Sequence, residues 1–61
     1  MKVDCFFVQQ PDGEFKGECS VCAKVFSGEL QASVRKFMEH RELRHETGGG
    51  VIRVIPRGAA A

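Results

Sequence analysis

The sequence Cys19-Ser20-Val21-Cys22, followed after seventeen intervening residues by His40-Arg41-Glu42-Leu43-Arg44-His45, constrains this chain more than any other feature. A Cys-x2-Cys pair lets a tight knuckle aim both sulfurs at one point. A His-x4-His pair near a helix end brings two imidazoles to the same side. Two thiolates and two imidazoles arriving as two local pairs form the ligand set of a tetrahedral structural zinc site. Cys19, Cys22, His40 and His45 are therefore the expected ligands, and one structural Zn2+ the expected cofactor. A closed shell of this kind leaves no coordination position for water or substrate, so an enzyme acting on a small molecule is not expected.

Length points the same way. A chain of 61 residues buries too little apolar surface to offset its ordering entropy without a staple. Its three cysteines cannot all pair within one chain. Met1-Lys2-Val3-Asp4 and the short apolar run after it do not read as a signal peptide. The expected setting is intracellular, in cytoplasm or nucleus, where thiolates hold metal rather than each other. No apolar stretch approaches the length of a bilayer span, so no membrane partner is expected. Nine Lys and Arg against eight Asp and Glu give a formal net charge of +1. Nucleic-acid binding would therefore need a local basic patch.

In chain order, residues 2–10 place Val3, Cys5 and Phe7 against Phe6 and Val8, an apolar strand with two usable faces. Gln10-Pro11-Asp12-Gly13 reads as a turn. Residues 14–18 should return antiparallel into the cysteine knuckle, and residues 23–26 should leave it as another short strand. Ser27 suits an N-cap, with Glu29 in the first turn, for a helix from about residue 28 or 29 to His45. Leu30, Val34, Phe37 and Met38 fall on one arc of that helix. Thr47-Gly48-Gly49-Gly50 ends it through a glycine cap. Val51-Ile52-Arg53-Val54-Ile55 is β-prone and stops at Pro56. The expected organisation is one domain over residues 1–56, with a finger core at 15–46 and a flexible tail at 57–61. Cys5 reads as a small buried hydrophobe on the first strand, with a Cys3His shell as the alternative. Phe6, Phe7, Phe15 and Phe26 read as core rather than as a base-stacking platform. The chain has no Asn, which disfavours an HNH-type nuclease.

Cys19-x2-Cys22, Cys22-x3-Phe26 and Phe37-x2-His40 together make the middle of the chain resemble the Cys2His2 zinc finger, a ββα family. Phe15, four residues before Cys19, roughly matches the aromatic which that family often places ahead of its knuckle. Seventeen residues between Cys22 and His40, where the family commonly has about twelve, must lengthen the helix or the loop leading into it. The i, i+5 histidine spacing implies a local distortion near residues 41–44. The flanking strands have no counterpart in the minimal finger. The expected fold is thus small α+β: a zinc-stabilised ββα finger whose antiparallel sheet is extended by an N-terminal and a C-terminal strand.

The resemblance implies binding of double-stranded nucleic acid, with DNA favoured, as in a small transcriptional regulator; compact fingers of this size are familiar from viruses and mobile elements. Counting back from His40, it assigns base contacts to Ser33, Arg35, Lys36 and Glu39. Lys24, Arg41, Arg44, Arg53 and Arg57 could meet phosphates. An ordinary surface ion pair between Arg35 and Glu39, at i and i+4, competes with that assignment. A zinc-stabilised protein-interaction module is the alternative. It is motivated by Glu39, Glu42 and Glu46 among the bases, by the outward Leu43, and by an edge for strand addition at residues 51–55.

Overall fold

The structure is a computed structural model that describes residues 2–58; residues 59–61 of the expected tail lie outside the described residues. Among the described residues, four strands and one helix follow the order β1 (Cys5–Gln9), β2 (Phe15–Glu18), β3 (Val25–Gly28), α1 (Leu30–His45) and β4 (Ile52–Ile55). The strands form one mixed sheet in the order β3-β2-β1-β4. The fold is small α+β, as expected.

The β1–β2 turn forms at the Pro-Asp-Gly sequence. Gly13 donates its N–H to the Gln10 carbonyl at 2.9 Å, and Glu14 donates to Oδ1 of Asp12 at 2.9 Å. Gly13 adopts φ 92°, which glycine tolerates without a Cβ penalty. Both β1–β2 and β2–β3 are antiparallel. β4 departs from expectation, because it pairs with β1 in parallel, Cys5 opposite Ile52 through Val8 opposite Ile55. The cause is the number of chain reversals. Two turns separate β1 from β3. The helix then runs back toward the knuckle end, where His45 meets Cys19, and the glycine segment reverses the chain once more, leaving β4 pointing the same way as β1.

Asp4 ties that end together. Its backbone exchanges bonds with Ser20, accepting from the Ser20 N–H at 3.0 Å and donating to Oγ at 2.9 Å, while its carboxylate accepts the Val51 N–H at 2.7 Å. The knuckle and the start of β4 thus hang on one residue.

The helix covers one face of the sheet and buries Phe7, Phe26 and Phe37 with Val3, Cys5 and Cys19. Phe37 meets Phe7 and Phe26 edge to face, at centroid distances of 6.3 and 5.8 Å. Gly17 gives the sheet room for this packing, since a Cβ there would stand 2.7 Å from Sγ of Cys5 and 2.8 Å from Phe7. Phe6 and Val8 alternate onto the opposite, open face.

Three local expectations change. Ser27 is spent in pairing with Lys16, so the N-cap is Glu29, whose carboxylate accepts the Gln31 N–H at 3.2 Å. The left-handed residue that ends the helix is Glu46, at φ 51°, rather than a glycine. The stripe facing the sheet is Ser33, Phe37 and Arg41, at i, i+4 and i+8; the helix is rolled relative to the expected arc, and Met38 is left exposed.

Candidate metal centre

The knuckle closes through two backbone bonds, Ala23 N–H to the Cys19 carbonyl at 3.0 Å and Cys19 N–H to the Lys24 carbonyl at 2.9 Å. Closing it places Ala23 at φ 63°, in the region that costs an L-residue roughly 1–2 kcal/mol. Both sulfurs then face the last turns of α1.

The histidines reach them because the helix widens where it ends. Glu46 donates its N–H to the carbonyl of Arg41, five residues back, so the final turn advances less per residue than a regular α-helix. This is the distortion that the i, i+5 spacing required, and it leaves α1 continuous through His45. Nε2 of His40 lies 3.2 Å from Nε2 of His45 and 3.2 Å from Sγ of Cys22; Sγ of Cys19 lies 3.6 Å from Nε2 of His45. All four ligand atoms fall within 4.8 Å of one another. A tetrahedron with metal–sulfur bonds of about 2.3 Å and metal–nitrogen bonds of about 2.0 Å has S–N edges of about 3.5 Å and N–N edges of about 3.3 Å. The three short S–N and N–N separations fit those edges, while the full set of four atoms spreads to 4.8 Å.

Protonation suits the same purpose. For Cys19, burial pushes the thiol up, but the backbone amides of Cys22 and Val21 and the Cys22 side chain outweigh it and hold the thiol below its ordinary value. His40 is held below the usual imidazole range by burial first, then by His45, Lys24 and Arg44. A thiol inclined to ionise beside a neutral imidazole is the state that binds metal. The His40 ring also packs on Phe26, centroid to centroid 5.3 Å, which joins the site to the core.

Cys19, Cys22, His40 and His45 can therefore hold one metal ion. Cys5 is not among them. Its sulfur sits over Gly17, and burial, followed by the neighbouring Cys19, pushes its thiol up to about 11.

The remaining expected site residues separate into groups. Lys24, Lys36, Glu39 and Arg44 line one groove of about 430 Å³ between β3 and α1, with His40 at its edge. Arg35 lies instead in an apolar groove between α1 and β4, beside Leu30, Val34 and Met38. Arg53 is exposed on β4 and paired with Phe6 on the open face. Ser33 and Arg41 belong to the buried stripe, at 0 and 7 % exposure, and Oγ of Ser33 and Nε of Arg41 are buried, away from the surface contact assigned to each residue. The Arg41 guanidinium lies 5.5 Å from the Phe37 ring instead. Arg57 is exposed, and its N–H donates to Oε1 of Gln9 at 2.9 Å.

Among the described residues no helix is long and apolar enough to cross a membrane. No protein-family model, curated protein or solved structure matches this chain.

Proposed function

We propose that the chain is a zinc-stabilised module that binds double-stranded nucleic acid, DNA foremost. Zinc follows from the donor set, since two thiolates and two imidazoles in a tetrahedron suit it better than magnesium or calcium, which take oxygen ligands. Its role is to fold the chain: apparent binding energies of roughly 10–16 kcal/mol at such sites exceed what a domain this small can otherwise supply.

One observation supports the nucleic-acid reading above the rest. Lys24, Lys36 and Arg44 converge on a single groove beside the metal centre, which supplies the local basic patch that a near-neutral chain needs. Three cations there would engage about three phosphates, and Glu39 between them could accept from a cytosine amine.

Fluorescence anisotropy of a labelled duplex tests this. Three phosphate contacts give a slope of log K against log salt of about −2.7, and Lys36→Ala or Arg44→Ala should each reduce its magnitude by about 0.9. Absence of salt-dependent binding to any duplex at low ionic strength refutes the reading. A protein-binding module is the second reading, favoured by the apolar groove of Leu30, Val34, Met38, Ile52 and Val54 and by the outer edge of β4, which has no neighbouring strand among the described residues.

A further inference from the structure

Three thiols lie in this chain, and only two face the metal centre. The third, Cys5, is the direct antiparallel cross-strand partner of Cys19. Their amides do not bond each other: the Cys5 N–H donates to the Val51 carbonyl and the Cys19 N–H to the Lys24 carbonyl, while the adjacent pair Asp4 and Ser20 carries the link between the strands. Cys5 and Cys19 are thus a non-hydrogen-bonded pair, the closer of the two antiparallel kinds, with α-carbons about 4.5 Å apart. That distance lies within the range of about 4.4–6.8 Å which a disulfide spans. Directly opposite residues face the same side of a sheet, and both side chains are buried, at 1 and 2 % exposure. The sulfurs themselves are turned apart, that of Cys19 toward His45 and that of Cys5 over Gly17. Bringing them together takes a rotation about χ1 at the cysteines, which moves no backbone atom.

We propose that Cys5 and Cys19 form a disulfide when the metal leaves, so that a covalent staple replaces the metal at the same end of the sheet. This goes beyond the nucleic-acid reading and does not depend on it. The chemistry balances with a peroxide as oxidant. Cys22, the exposed thiol, attacks the O–O bond, keeping one oxygen as a sulfenic acid while the other leaves as water. Cys19 attacks the Cys22 sulfur and expels the second oxygen as water, giving a Cys19–Cys22 disulfide. Cys5 then attacks the Cys19 sulfur; the Cys5–Cys19 bond forms, the Cys19–Cys22 bond breaks, and Cys22 takes up the proton that Cys5 gives up. In sum two thiols lose two electrons and two protons, and the peroxide becomes two waters. The exchange runs forward because the cross-strand bond joins residues that the β1–β2 register sets directly opposite, and so locks that pairing once the metal no longer supports it. The knuckle, in contrast, is shaped to aim its two sulfurs at a third atom.

The full chain is treated with hydrogen peroxide, zinc-loaded or after chelation, then alkylated, digested without reduction and analysed by mass spectrometry. The chelated sample should yield the Cys5–Cys19 linked peptides with Cys22 alkylated, and bound zinc should slow the reaction by about tenfold or more by occupying both reactive thiolates. Cys22→Ser should still give the link, with peroxide acting on Cys19 directly. Cys5→Ala should lose it yet bind zinc, which separates loss of the thiol from loss of the fold. A Cys19–Cys22 link as the sole product, or Cys5 recovered fully alkylated after oxidation of either the original chain or Cys22→Ser, overturns the proposal.

Discussion

Replacing Phe37 by alanine tests how tightly metal binding and folding are joined. Phe37 is fully buried, meets two other rings edge-on, and lies beneath the Arg41 guanidinium. Truncating such a residue costs about 3–5 kcal/mol in lost transfer energy and cavity formation, and it also leaves a buried cation without its ring. Phe37 does not touch the metal, so this cost falls on the folded state alone. If the site assembles only as the chain folds, the whole cost reappears in apparent metal affinity. At about 1.4 kcal/mol per tenfold, zinc affinity should fall by between a hundredfold and a few thousandfold. A chelator-competition titration measures this. Leu43→Ala, at a residue 72 % exposed, serves as the control and should change affinity by less than about threefold. Unchanged zinc affinity in Phe37→Ala, alongside a lowered melting temperature, would show that the site is formed before the core and refute the coupling.

Other perturbations have equally definite expectations. Gly17→Ala should destabilise by about 1–3 kcal/mol in denaturant titrations, because its Cβ meets two immobile core side chains; adding Cys5→Ala should recover part of that loss. Gly50→Ala should cost more than about 1 kcal/mol, since a side chain at φ 130° would overlap the Val3 backbone. Ala23→Gly should raise the melting temperature of the metal-loaded protein, relieving a left-handed alanine by roughly 0.5 kcal/mol net of glycine's entropy. For acid stability, burial, then His45, Lys24 and Arg44, lower the folded His40 pKa. The unfolded chain therefore binds the proton first, and the stability present above the ordinary imidazole pKa of about 6.5 should decline as pH falls below it. A pH series of thermal melts on the zinc-loaded protein should show that decline.

The metal centre could be read from the sequence because a tetrahedral shell constrains spacing directly. Two residues between the cysteines set the knuckle, and four between the histidines required a widened turn, supplied by the Glu46-to-Arg41 bond. The long spacer was also interpretable: it extends the fold through β3 and through a helix of 16 residues. What the residues alone did not reveal was the roll of that helix. Leu30, Val34, Phe37 and Met38 make a reasonable apolar arc, but placing His40 and His45 over the knuckle turns Ser33 and Arg41 toward the sheet. The placement of the four candidate ligands goes with a buried stripe that apolar periodicity did not indicate, and two residues assigned surface contacts lie in it. The direction of β4 was hidden for a different reason, since it depends on counted chain reversals rather than on the character of residues 51–55. The pairing of Cys5 with Cys19 became visible only with strand register, because neither residue marks the other by spacing.

Titration of the metal-free chain with Co2+ tests the central claim most directly. One equivalent should produce the intense visible absorption of a tetrahedral S2N2 site together with a gain of helical circular dichroism; Zn2+ should displace it, and Cys19→Ser and His45→Ala should each abolish the spectrum. A weak octahedral spectrum, or a full helical signal with no metal bound, would contradict the account.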